Sequence, residues 1–450
     1  MTDPNPGRAI PSGRLSRLAG FGRLAGGVAG GMIADGARQL AAGKRPSVAD
    51  LLLTPANATR VTAQLANLRG AAMKIGQLLS MDSGELLPPE LATILGRLRA
   101  DAQHMPPKQL EAVLDRAWGK GWRAKFERFN VRPIAAASIG QVHRARTRDG
   151  RDLAIKVQYP GVRSSIDSDV DNVATLLRVS GLVPRELDVA PMLTEAKRQL
   201  HEEADYAREA DCLARFGDLL ADAPAYVVPA LHRDFTTSDV LAMDFVEGVA
   251  VESLSDAPQA TRDRIMTLLI ALLLRELFEF GLMQTDPNFA NYRWNPATQR
   301  LVLLDFGATR AFAPAIADHY HRLMQAGYAN DAAAVRAAMI DIGFFAADAP
   351  QRHQATIVSM FETAFGAMRD APTFDFAANR LAADVRDRGM EMAADREFWH
   401  LPPMDTLFLQ RKFAGVFLLG SRLQAQVDMG DLLAGYIEPP AGRALGPAPV

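Results

Sequence analysis

Apolar positions along this chain follow two rhythms, and the change from one to the other separates expected strands from expected helices. Short apolar runs at Leu153-Ala154-Ile155-Lys156-Val157, Val240 to Phe245 and Leu301 to Leu304 predict buried strands. The first follows the turn pair Asp149-Gly150 and carries one charge at its centre. Helical spacing predicts helices over Thr62 to Ser80, Met192 to Leu220, Arg262 to Phe280, Ala313 to Ala329, Gln354 to Met368 and Thr406 to Leu419. The C-terminal third is therefore expected to be mostly helix with little chemistry of its own, its methionines serving the core. No internal repeat interrupts the pattern.

The first 45 residues differ in kind. Pro4, Pro6 and Pro11 predict a disordered start, and Arg8, Arg14, Arg17 and Arg23 charge it positively, with no acid between Arg8 and Asp35. The uncharged run from Leu24 to Ala34 is eleven residues, against about 20 needed to cross a bilayer. It cannot span. Its glycines and arginines fit either a flexible leader or an amphipathic anchor on an anionic lipid surface; an Arg-rich, acid-poor start would also suit a mitochondrial transit peptide, although Ser is sparse.

Candidate chemistry gathers at two motifs nineteen residues apart, Gln284-Thr285-Asp286-Pro287-Asn288-Phe289-Ala290-Asn291 and Leu303-Leu304-Asp305-Phe306-Gly307. In the protein-kinase plan a catalytic-loop Asp is followed five positions later by a metal-binding Asn, and a D-F-G Asp holds the metal as well. Asp286, Asn291 and Asp305 keep that arrangement. Mg²⁺ prefers oxygen ligands and retains several waters, so one carboxylate, one carboxamide and the phosphates of ATP suffice. Upstream, Ala135-Ala136-Ala137-Ser138-Ile139-Gly140-Gln141-Val142 aligns with the kinase glycine-rich loop, with Ala at the first two Gly positions and Gly140 at the third. Each added Cβ narrows how closely the backbone approaches phosphate.

Lys156 then reads as the phosphate-binding lysine; its alternative is an edge-strand lysine reaching solvent. Such a lysine needs a carboxylate partner. Glu203 is the first choice and Glu195 the second, while Glu202 and Glu209 read as a solvated helix face. The segment Val240 to Phe245 followed by Val246-Glu247-Gly248 is similar to the connection between kinase lobes, where backbone groups of Phe245 and Val246 would bind adenine. Near the N-terminus, Lys74-Ile75-Gly76-Gln77 puts Lys74 and Gln77 on one helical face.

Together these motifs, with Gln141-Val142-His143, Gln158-x-Pro160-Gly161-Val162 and Glu203-x-Asp205-Tyr206, resemble the UbiB or AarF atypical kinase family over roughly residues 60 to 430. The catalytic loop and Leu304-Asp305-Phe306-Gly307-Ala308-Thr309-Arg310 look like the branch containing the eukaryotic coenzyme Q kinase-like proteins. Many bacterial members carry a His-Ala-Asp-Pro-His-Pro-Gly-Asn loop, whose His and Gly are absent here. The resemblance implies an α+β, atypical protein-kinase-like two-lobe fold, with a helical N-terminal extension packed over the active-site cleft. Lys74, Gln77 and Asp205, with Glu203, would hold that extension.

By the same resemblance the cofactors are ATP and Mg²⁺, and the activity supports ubiquinone biosynthesis at the membrane. ATPase turnover is the favoured form, because no Ala-Pro-Glu follows Asp305 to form a peptide platform. A true protein or small-molecule kinase and a nucleotide-sensing module without turnover stay open, as does the choice for Asp286 between base and water-positioner. The expected partners are quinone-biosynthesis enzymes, lipid intermediates and an anionic membrane surface. The expected setting is the bacterial cytoplasm, peripheral on the inner membrane, or the mitochondrial matrix in a eukaryote.

Composition agrees with an enzyme of this size. The chain has 450 residues, 48% of them hydrophobic, which suffices for a sizeable core. A formal charge of −2 excludes the basic excess of a nucleic-acid binder. One cysteine, Cys212, excludes an intrachain disulfide and is expected to be buried in a helix. The boundaries that follow are a leader over 1–45, a helical extension over 46–117, an N-lobe over 118–246, a helical C-lobe over 247–435 and a loose tail over 436–450.

Overall fold

Strand β4 (Asp152–Gln158) is buried along nearly its whole length. Pleating sends Leu153, Ile155 and Val157 to one face and Ala154, Lys156 and Gln158 to the other. In the computed structural model the first face packs with Leu110, Val113, Leu114, Trp122, Phe126, Phe235 and Val240 into a single apolar core. The structure describes residues 70, 71, 74, 75, 104–180, 190–378, 381, 387, 388 and 402–437. The leader, most of the proposed extension including Gln77, and the tail beyond Ile437 lie outside the described residues.

The chain forms two compact units. In the first, β1 (Phe126–Phe129), β3 (Gly140–Thr147), β4 and β6 (Val240–Asp244) follow one another in an antiparallel sheet, with the short β2 (Ala135–Ala136) on β3. Because β4 has a partner on each side, Lys156 is not on an edge strand. Helix α1 (Pro107–Trp118) starts at a proline, where the missing N–H costs nothing, and stops at Gly119 with φ of 83°. Its last residue, Trp118, meets Trp122 and Phe235 edge to face at 5.6 Å, closing the aromatic side of the core.

The helical stretch expected from Met192 to Leu220 is two helices after α2 (Val162–Ser180): α3 (Ala190–Glu203) and α4 (Tyr206–Leu219). The break has a local cause. Asp205 Oδ1 accepts the Arg208 N–H at 3.2 Å, so Asp205 caps a new helix and resets the direction of every side chain after it.

In the second unit, β5 (Tyr226–Val227), β10 (Arg300–Leu303), β9 (Tyr292–Asn295) and β7 (Val249–Ala250) form one sheet. A separate pair joins β8 (Leu282–Gln284) to β11 (Thr309–Ala311), with Gln284 opposite Thr309. Helix α5 (Gln259–Arg275) runs into a wider π-turn over Glu276–Phe280 that ends at Gly281 with φ of 57°. Helices α6 (Pro314–Tyr328), α7 (Ala332–Ile342), α8 (Gln351–Arg369), α9 (Met404–Leu423) and α10 (Met429–Ile437) complete the unit. Strand and helix are thus both structural here, as the α+β expectation requires. Among the described residues no helix is long and apolar enough to cross a membrane. Cys212 is half-buried on α4 rather than fully buried.

Candidate active site

The first unit carries Lys156. Lys156 Nζ donates to both carboxylate oxygens of Glu209, at 2.8 and 2.9 Å, and both side chains are buried. Glu209 is therefore the carboxylate that holds the lysine, in place of the expected Glu203 or Glu195. The reason is the break at Asp205: α4 begins afresh there, and its first turn turns Glu209 inward. Glu195 instead receives Arg198 and Gln199 on its own helix. The Tyr206 ring lies 5.2 Å from Lys156 Nζ, adding a cation–π contact to the pair. Gln158, two residues along the same face, donates to the Ala204 carbonyl at 2.9 Å and fixes the α3–α4 corner on the sheet.

The Ala-rich loop is a tight hairpin. Ala135 pairs with Val142 and Ala136 with Gln141, and the Ala137 N–H closes on the Gly140 carbonyl at 2.8 Å. Gly140 is required by space: a Cβ there would sit 2.6 Å from the Val157 carbonyl oxygen and 2.7 Å from the Tyr206 hydroxyl. At the tip, Ile139 is buried and Ser138 Oγ donates to Glu203 Oε2 at 3.0 Å. The other oxygen of Glu203 takes the buried ammonium of Lys74. Glu203 thus joins the Lys74 helix to the hairpin tip, whereas Asp205 serves as a helix cap and lies 3.8 Å from Arg163.

Val142 and His143 stand on β3 behind this hairpin. His143 Nδ1–H donates to the Asn130 carbonyl at 2.8 Å, which leaves Nε2 to accept from Gln141 at 2.9 Å; Gln141 Oε1 in turn accepts the Met105 N–H at 2.8 Å. Burial pushes the imidazole down to about 4. His143 is accordingly a neutral structural residue. At the end of β6, the Phe245 N–H is used by the Asp152 carbonyl at 2.8 Å, so among the backbone groups expected near adenine this donor is already taken.

The second unit carries Asp286, Asn291 and Asp305. Asp286 and Asn291 lie on the loop between β8 and β9, and Asn291 Nδ2 donates to Asp286 Oδ2 at 3.3 Å, at the long end of hydrogen bonding. That leaves Asn291 Oδ1 as a hard oxygen donor. The Leu304 N–H bonds the Asn291 carbonyl at 3.0 Å, which sets Asp305 beside Asn291. Thr285 closes the other end of the loop through two bonds to the Ala308 carbonyl, N–H at 3.1 Å and Oγ1 at 2.8 Å. Phe306 is buried 4.9 Å from Phe216. One carboxylate and one carboxamide make a donor set suited to Mg²⁺ with phosphate and water ligands. Among the described residues no cluster of three or more His, Cys, Asp and Glu offers an alternative metal site.

Two residues absent from the sequence-based expectations reach this loop from α9. Arg411 Nη2 donates to Asp286 Oδ1 at 3.1 Å, and Lys412, fully buried, donates to the Gln284 carbonyl at 2.7 Å. Their signal in the sequence is a pair of adjacent cations inside an otherwise apolar helix, Leu407-Phe408-Leu409-Gln410-Arg411-Lys412-Phe413.

The chain is similar to known proteins over most of its length. Residues 97–339 match the ABC1 atypical kinase-like domain. The chain is 37% identical to the mitochondrial atypical kinase COQ8 of Saccharomyces cerevisiae over 428 residues, covering 94% of this chain and 85% of that protein. It is 39% identical to the mitochondrial atypical kinase COQ8B of Danio rerio, covering 93% of this chain and 68% of that protein. Among solved structures, the Rv3197–erythromycin complex from Mycobacterium tuberculosis aligns with a TM-score of 0.58 at 25% identity, over 85% of this chain and 97% of that one. The chain belongs to the ABC1 atypical kinase-like family, as its resemblance to the UbiB and AarF proteins implied.

Proposed function

We propose that the protein binds ATP with Mg²⁺ and cleaves its terminal phosphoanhydride, acting as an ATPase that supports ubiquinone biosynthesis at a membrane surface. The observation that carries this reading is the 286–291 loop, where Asp286 is held by both Arg411 and Asn291 while Leu304 binds Asn291 and brings Asp305 alongside. Lys156, fixed by Glu209, would bind α- and β-phosphate oxygens as a point charge. Asn291 Oδ1 and Asp305 would hold the metal, which when bound neutralises charge developing on the phosphates. Asp286 is left to orient the attacking oxygen and receive its proton.

Whether that oxygen comes from water or from an acceptor hydroxyl separates the two enzyme readings. The tethered hairpin tip and the missing Ala-Pro-Glu support water. The kinase names of the relatives support a hydroxyl acceptor, on a protein or a small molecule. The quinone assignment rests on the relatives, since no residue set described above is specific for a quinone ring or a polyprenyl tail.

The test is phosphate release from ATP in magnesium, with and without anionic-lipid liposomes and a phenolic quinone-precursor analogue. Release that rises with lipid supports the membrane-stimulated ATPase. ATP binding with no release in any condition rejects it and leaves the acceptor-dependent kinase or a nucleotide-sensing module.

A further inference from the structure

Burying an ammonium is costly unless its protons are met by well-placed acceptors. Lys412 on α9 is 2% exposed, and its Nζ donates to the Gln284 carbonyl at 2.7 Å, the Tyr292 hydroxyl at 2.7 Å and Gln284 Oε1 at 3.3 Å. These acceptors have a particular place in the chain. Gln284 is the last residue of β8 and Tyr292 the first of β9, so they flank the loop of 285–291 that carries Asp286 and Asn291. One cation therefore ties the two ends of that loop together.

The grip is doubled at Gln284. Its N–H donates to Glu276 Oε1 at 3.1 Å, while the second oxygen of Glu276 faces Lys412 Nζ at 3.5 Å. Glu276 opens the π-turn Glu276–Phe280, a distortion that costs helix regularity and is often kept at functional sites. Burial alone would push Lys412 down, but the neighbouring Glu276 and the Tyr292 oxygen raise it, while burial in turn pushes the Glu276 carboxyl up. The same helix approaches the loop again at Gly415, where any Cβ would overlap the Pro287 ring.

We infer that Lys412 is a positioning residue for phosphoryl transfer: its buried ammonium, backed by Glu276 and Tyr292, fixes the span and height of the loop that presents Asp286 and Asn291. It touches no reacting atom and acts through the backbone of Gln284 and the phenol of Tyr292. The chemical part of this inference rests on the phosphotransfer reading above. The mechanical part stands apart from it.

The experiment compares wild type, Lys412→Met and Tyr292→Phe in the full chain, by hydrogen exchange of peptides covering 284–292, by binding of ATP with Mg²⁺, and by turnover. Exchange in that segment should rise about tenfold in each variant, the size of one lost hydrogen bond. ATP affinity should stay within about threefold while kcat falls by about 100-fold in Lys412→Met, the cost of a loop displaced by an ångström. If Lys412→Met does not fold, Tyr292→Phe, which removes one acceptor and leaves the ion pair, decides by the same readouts. Unchanged exchange at 284–292 overturns the clamp. Raised exchange with unchanged kcat overturns the positioning role. A wild type without turnover would reject the phosphotransfer reading, and the exchange result would still decide the clamp.

Discussion

Lys156 and Glu209 meet as a bidentate ion pair, with Nζ at 2.8 and 2.9 Å from the two carboxylate oxygens and both residues buried. Removing one partner would strand the other charge in the interior, so Glu209→Gln should cost about 3–5 kcal/mol of unfolding free energy. Replacing both residues together, as Lys156→Met with Glu209→Gln, should cost markedly less. Denaturant unfolding of the three chains checks this; a Glu209→Gln variant as stable as wild type would show that the pair is not the lysine's main support.

The Ala-rich hairpin turns back at a glycine that has no room for a side chain. Gly140→Ala would press a Cβ against the Val157 carbonyl at 2.6 Å and the Tyr206 hydroxyl at 2.7 Å. The backbone oxygen cannot yield cheaply, so the variant should lose about 1–3 kcal/mol. Adding Tyr206→Phe should recover part of the loss by removing the hydroxyl. Thermal unfolding of the single and double variants reads both effects.

His143 predicts a pH dependence with a definite sign. Its folded value is lowered from 6.5 to about 4 by burial, so between those values the unfolded chain binds a proton that the folded chain refuses. The stabilisation is complete above the unfolded value and is lost as pH falls toward the folded one. Between about pH 7.5 and pH 5 the loss from this group is about 2 kcal/mol. In His143→Gln the fall in stability over the same interval should be smaller by that amount, measured by denaturant unfolding at the two pH values. An identical fall in both chains would contradict a buried neutral imidazole.

How much of this was legible in the sequence depended on how local each signal was. Lys156 announced itself as a charge inside an apolar run, and the strand is where that run lies. The helix expected from Thr406 to Leu419 lies inside Met404–Leu423, and the one from Gln354 to Met368 inside Gln351–Arg369. The closeness of Asp286 and Asn291 was readable from their spacing, because the motif that holds them is short and continuous.

The carboxylate partner of Lys156 was misplaced because helical face arithmetic assumes an unbroken helix. A single cap at Asp205 invalidated it, and Asp followed by a helical run was the available warning. Arg411 and Lys412 escaped notice for another reason. They lie more than a hundred residues from the loop they hold, 125 for Arg411 with Asp286 and 128 for Lys412 with Gln284, and nothing in the apolar pattern of α9 names their acceptors.

Asp286, Asn291 and Asp305 are proposed above to carry metal-dependent cleavage of ATP. Magnesium-dependent phosphate release by wild type, Asp286→Asn and Asp305→Asn, with ATP binding measured on the same samples, addresses it directly. Turnover is expected in wild type and its loss in both variants, with ATP binding surviving Asp286→Asn. Turnover persisting in either variant, with the protein folded, would contradict the proposal.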